Sequence, residues 1–165
     1  MPARQDEFER IAMPHTRSLL RVARRLTSET ARAEDLVQQT MLSAWRSFDQ
    51  FRTGTNARAW LFRIMFNAFY AEGRRMRVTV VPIDGREISA PSSGLENSVE
   101  IAEALDSLVV EHRAVLMLAA VEGFTCRETA QILNVPTGTV MSRLSRAREA
   151  LRAKLTPMCA SKGAP

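Results

Sequence analysis

The stretch Asn134–Arg148, NVPTGTVMSRLSRAR, decides the fold. Val135-Pro136-Thr137-Gly138 is poor helix material, because Pro lacks an amide hydrogen and the β-branched and Gly residues lose extra entropy in a helix. Both flanks have helical spacing. Thr125 to Leu133 reads as a short helix opened by Thr125-Cys126-Arg127-Glu128, the spelling of a capping box. Asn134-Val135-Pro136 reads as a tight turn, and Thr137 as the cap of a second helix ending near Leu155. Two helices joined by such a turn form a helix-turn-helix, whose second helix enters the major groove of DNA.

Advancing about 100° per residue puts Val140, Leu144, Ala147 and Leu151 on one side of that second helix, expected to bury against the first. The opposite side carries Thr139, Ser142, Ser145, Arg146 and Glu149, with Arg143 on its shoulder. Short hydroxyls suit base edges, and guanidinium groups suit guanine or phosphate. On an isolated helix such a face is ordinarily only solvated. The capped helix and turn ahead of it shift the reading to DNA.

Upstream, residues 98–122 read as one or two helical segments closed by Gly123. Residues 78–97, VTVVPIDGREISAPSSGLEN, break every periodicity with Pro82, Gly85, Pro91 and Gly94 and read as a linker. Extended, it would span about 65 Å. From Phe8 to about Arg77 apolar residues recur at three and four, interrupted by DQFRTGTN, a loop expected to end in an Asn56 cap. The expected fold is all-α: two small helical domains, residues 1–77 and 98–155, joined by the flexible linker 78–97 and followed by a tail, 156–165.

Eight of the ten aromatic residues fall within residues 45–70, interleaved with Arg46, Arg52, Arg58 and Arg63 and followed by Arg74, Arg75 and Arg77. The stripe Trp60, Ile64, Ala68, Ala71 is expected in the core, as is Val37, Met41, Ala44, Trp45, Phe48. The second stripe, Phe62, Phe66, Phe69, Tyr70, exceeds what one side of a small bundle must bury, and aromatic surface beside Arg can hold unstacked bases. In AEDLVQQTMLSAW, Asp35, Gln38, Gln39 and Leu42 lie away from the apolar stripe, a polar face with one apolar spot.

Charge agrees with a polyanionic partner. The net charge is +5, and 21 of the 23 basic residues are Arg, the side chain suited to planar bidentate acceptors. Residues 1–83 are basic on balance, 84–128 acidic and 129–165 basic again. Catalysis is not expected: there is no phosphate-cradling Gly loop, no paired carboxylates with a pocket, and His15 and His112 stand alone. Cys126 and Cys159 lack zinc-ligand spacing, so neither metal nor cofactor is expected. The longest apolar run, Ala114 to Val121, is far short of a membrane span. A reduced, cytoplasmic setting without membrane insertion follows as the expectation.

Together AEDLVQQTMLSAWRSFDQFRTGTNARAWLFRIMFN, a broken linker and VPTGTVMSRLSRAREAL resemble a bacterial RNA polymerase sigma factor of the extracytoplasmic-function group, over residues 8–77 and 98–155. The resemblance implies a sigma-2 domain whose Asp35, Gln38, Gln39, Leu42 and Trp45 dock on the clamp helices of the largest polymerase subunit, the flap being a further polymerase contact. Phe48, Phe51, Arg52, Asn56, Arg63, Asn67, Arg74 and Arg75 would then open and hold the −10 strand. A sigma-4 domain would read the −35 duplex with Gly138, Thr139, Ser142, Arg143, Ser145 and Arg146. An anti-sigma partner is implied as well. Three positions depart from the pattern: Gln39 where Glu is frequent, Met141 where Lys or Arg is frequent, and Leu108-Val109 in place of Leu-Pro. An operator-binding regulator and a sigma mimic that titrates an anti-sigma protein are the competing readings.

Overall fold

A computed structural model describes residues 2–79 and 96–161, with side chains described for 3–76 and 99–156. Every regular element among them is helical: α1 (Pro2–Ala12), α2 (Thr16–Thr27), α3 (Thr30–Arg46), α4 (Ala57–Thr79), α5 (Glu96–Asp106), α6 (Val110–Leu116), α7 (Cys126–Leu133) and α8 (Thr137–Ser161). Tight 3-10 turns lie at Met13–His15 and Phe48–Gln50, and a π turn at Met117–Val121 extends α6. The chain divides into two compact units, residues 1–87 with 131–134, and residues 88–130 with 135–165. Both ends of the segment 78–97, expected as a linker, are helical: α4 continues to Thr79 and α5 begins at Glu96. Residues 80–95 lie outside the described residues.

In the first unit α3 packs against both α2 and α4. Leu19, Val22 and Ala23 of α2, Ala33 and Leu36 of α3, and Leu61, Phe62, Met65 and Phe66 of α4 are almost fully buried. Each large apolar side chain so removed from water contributes about 1.5–3 kcal/mol. This corrects the expected facing of α4. Trp60, Ile64, Ala68 and Ala71 are only half-buried, while Phe62 and Phe66, expected as surplus surface, are core. The α4 sequence is apolar nearly all round between Ala57 and Ala71, so its neighbours rather than its own pattern choose the buried side.

In the second unit α8 packs on α6 and α5, not chiefly on α7 as its apolar stripe had suggested. Arg113, 4% exposed, ties the α5–α6 corner: its guanidinium donates to the carbonyls of Asp106 (2.6 Å) and Leu108 (2.9 Å). Val109 sits at the N-cap of α6 with φ −60° and ψ 147°, a backbone that a proline could also take, and the helix begins at Val110 without one. The π turn closes with the Glu122 amide donating to the Met117 carbonyl (2.9 Å). Gly123 then takes φ +72°, and the Phe124 amide donates to the Leu118 carbonyl (3.0 Å). Leu118 and Phe124 are thereby both buried. At the other end α8 runs through residues 156–161, which had been assigned to a trailing tail. The Thr156 hydroxyl folds back onto the Arg152 carbonyl (2.6 Å) within that run.

Candidate nucleic-acid interface

The corner between α7 and α8 is built from its own backbone needs. At the start of α7 the Glu128 amide donates to Thr125 Oγ1 (3.1 Å) and the Thr125 amide donates to Glu128 Oε2 (2.8 Å), the reciprocal pair of a capping box. At its end Asn134 adopts φ 53°, which lets the Val135 amide reach back to the Ala130 carbonyl (3.0 Å). The cap of α8 lies one residue earlier than expected. Pro136 occupies it, its carbonyl accepting from Thr139 (3.0 Å) and Val140 (3.2 Å), so Thr137 is the first helical residue.

Along α8, Val140, Leu144 and Ala147 are buried and Leu151 is half-buried. Gly138, Ser142, Ser145 and Arg146 are exposed, with Thr139 and Arg143 half-buried at the margin. The face therefore lies where its spacing put it. The Ser142 hydroxyl donates to the Thr139 carbonyl (3.1 Å), which holds its oxygen in a defined position while lone pairs remain available outward. Among the described residues no ion pair engages Arg146. Its charge is free for an anion.

The first unit presents two further surfaces. On α3, Asp35, Gln38, Gln39 and Leu42 are exposed at intervals of three and four, Leu42 to 51%, opposite buried Leu36, Val37, Thr40 and Ala44. Trp45 does not join them. Phe8 meets it edge-on at 5.2 Å and 76°, and the Arg4 guanidinium lies 4.2 Å from its ring while donating to Asp49 at 2.9 and 3.1 Å. This clasp from α1 leaves Trp45 half-buried and makes it a supporting residue.

The second surface begins with the loop before α4. Phe48, placed in the core by its spacing and against a base by the resemblance, is 7% exposed and packs edge-on to Phe8 (5.2 Å, 88°) and stacked on Phe51 (6.1 Å, 9°), with Trp60 6.5 Å away. It anchors the loop instead of lining it. Phe51 is half-buried, 4.7 Å from Trp60, and Arg52 to Asn56 are all exposed. Gly54 turns the loop with φ +92°, a conformation costly for any side chain. Asn56 Oδ1 accepts from the Ala59 amide (3.0 Å), capping α4 as expected.

From that cap, Arg63, Asn67 and Arg74 are exposed along one side of α4, with Arg75 exposed beside them. Half-buried Tyr70 shares this stripe at helical intervals of 63, 67, 70 and 74. The residues implied by the resemblance did not include it, although the aromatic stripe read from the sequence did. Beneath the start of α4, burial and then the positive charge of Arg58 hold the His15 pKa below its ordinary 6.5. Among the described residues no helix is long and apolar enough to cross a membrane.

The sigma-70 region 2 family matches residues 11–77, and the sigma-70 region 4 family matches residues 98–151. The ECF RNA polymerase sigma factor EcfG of Rhodopseudomonas palustris is 38% identical over 143 residues, covering 84% of this chain and 79% of that protein. SigL of Mycobacterium tuberculosis, also an ECF RNA polymerase sigma factor, is 37% identical over 149 residues, covering 86% and 84%. Among solved structures, the sigma factor RpoE of Bartonella quintana, crystallised in complex with the anti-sigma factor NepR, matches with a TM-score of 0.79. The identity is 34%, over 91% of this chain and 97% of that one.

Proposed function

We infer the function from kinship: the chain belongs to the extracytoplasmic-function sigma factors of bacterial RNA polymerase, which direct the core enzyme to specific promoters. The labour divides between the two ends of the chain. Residues 98–155 read the −35 duplex through Gly138, Thr139, Ser142, Arg143, Ser145 and Arg146. Residues 1–77 dock on core polymerase through Asp35, Gln38, Gln39 and Leu42. They hold the opened −10 strand with Phe51, Arg52, Asn56, Arg63, Asn67, Tyr70, Arg74 and Arg75.

One observation carries this reading: α8 buries Val140, Leu144 and Ala147 and offers a wholly different chemistry, Ser142, Ser145 and Arg146, to solvent. A groove rewards that combination. Hydroxyls accept and donate at base edges, and a guanidinium pairs two acceptors of guanine or straddles a phosphate. Neither grip on the promoter has to be tight, because two sites on one tether meet at an effective concentration of about millimolar.

The crystallised relative bound to an anti-sigma factor supports a similar restraint on this chain, with a partner covering its polymerase- or DNA-facing surfaces until a signal removes it. Run-off transcription with purified core polymerase on a random-sequence promoter library tests the function. Discrete starts sharing two upstream elements are expected. Core binding without any specific start would instead mark the chain as a mimic that occupies an anti-sigma protein.

A further inference from the structure

Groove reading depends on what stands on the first turns of α8, the part of a recognition helix that goes deepest. Between Thr137 and Ser145 the exposed residues are Thr137, Gly138, Met141, Ser142 and Ser145. All but one are short. At Gly138 nothing lies within 4 Å of where a Cβ would stand, so bare backbone faces open space there. Met141 has Thr137, Gly138 and Ser145 as its neighbours at three and four residues, and its side chain is longer than any of theirs. At 60% it is more exposed than any other large apolar side chain among the described residues.

An isolated exposed Met is ordinary on a protein surface. This one is the sole apolar group on the leading exposed surface of a helix otherwise furnished with hydroxyls and Arg. In the major groove the four base pairs offer donors and acceptors, and only thymine adds an apolar group, its C5-methyl. A thioether on three rotatable bonds can follow that methyl over a range of positions. The geometry points to Met141 as a specificity-determining residue that reads the methyl group of one thymine in the −35 element. This rests on the −35 reading proposed for α8 and adds an apolar reader to its polar ones. Its chemistry differs from that of Arg146, since a methyl contact leaves almost no salt dependence while a guanidinium–phosphate contact is strongly screened.

The test uses holoenzyme, core polymerase with the full chain, on a promoter duplex recovered from the random library. Each −35 thymine is replaced in turn by uracil, which keeps every hydrogen-bonding group and removes only the methyl. At one position uracil should weaken binding about fourfold, the worth of one buried methyl group. Met141→Ala should weaken the thymine promoter by at least as much and abolish the difference between thymine and uracil there. Met141→Leu, which keeps an apolar tip, should retain most of that difference. If uracil costs nothing at any −35 thymine, or costs the same in wild type and Met141→Ala, the methyl reading is overturned. Scrambling the whole −35 element provides the separate control: indifference to scrambling overturns groove reading by α8 and this assignment with it, whereas sensitivity to scrambling without coupling to Met141 overturns this assignment alone.

Discussion

Phe48→Ala separates a residue that supports the strand-holding loop from one that touches the strand. Phe48 is 7% exposed and its ring meets Phe8, Phe51 and Trp60 at centroid distances of 5.2, 6.1 and 6.5 Å. Truncating a buried Phe ordinarily costs about 3–5 kcal/mol. The position borders the exposed loop, where neighbours can settle into part of the space, so the lower end, about 3 kcal/mol, applies. At a urea dependence of about 1.5 kcal/mol per molar, that moves the unfolding midpoint down by about 2 M.

The probe is built into the chain. Both tryptophans, Trp45 and Trp60, lie in the first unit beside this cluster, so their fluorescence follows that unit rather than the whole protein. A cycle with Phe8→Ala should give a coupling of about 0.5–1.5 kcal/mol, reflecting the edge-on pair. Phe48→Leu, which keeps most of the volume, should cost less than about 1.5 kcal/mol and leave strand opening nearly intact. A Phe48→Ala protein of wild-type stability that no longer opens promoter DNA would refute the reasoning. The ring would then be a base contact hidden only in the free protein.

Three other outcomes are expected. Arg146→Ala should weaken holoenzyme binding to a −35-containing duplex by about 1–3 kcal/mol and reduce discrimination at one position, measured by competition against point-mutated duplexes, with helicity unchanged. Val109→Pro should raise the thermal stability of the second unit by about 0.4–1 kcal/mol, because the backbone already holds φ −60° and only the unfolded chain loses freedom; a lowered Tm would mean the corner must flex. For His15 the folded pKa lies below 6.5, so well above pH 6.5 the residue is neutral folded or unfolded and contributes no slope. As pH falls through 6.5 the unfolded chain takes up the proton first, and stability should decline until pH has passed below the folded pKa. Denaturation series for wild type and His15→Gln between pH 7 and 5 should differ only in that decline.

The second unit was legible where its signals are local. A Thr and a Glu three residues apart, an Asn and a Pro at the turn, and one apolar stripe on α8 depend on neighbours in sequence, and each gave its geometry. The first unit was less so. On α4 a run of apolar residues offers several equally apolar faces, and only packing with α2 and α3 selects Leu61, Phe62, Met65 and Phe66. The clasp of Arg4 over Trp45 joins positions 41 to 45 apart, beyond any periodic pattern; spacing alone put Trp45 on the inward stripe and Leu42 on the far face, and only the family resemblance grouped the two. Exposure of Asp35, Gln38, Gln39 and Leu42 was readable because α3 has one clean stripe.

The π turn at Met117–Val121 carries one residue more than the helix needs. Ala119, Ala120 and Val121 are all at least partly exposed, and little chemistry depends on which small or medium side chains stand there. Their number is constrained in one direction only. Dropping any one of them would let an ordinary helix close with Leu118 and Phe124 nearly in their present phase, because the wide turn absorbs its extra residue by rotating less at each step. Inheritance should therefore treat this segment as open to substitution and to loss of a single residue, yet closed to a further insertion, which no wider turn is left to absorb.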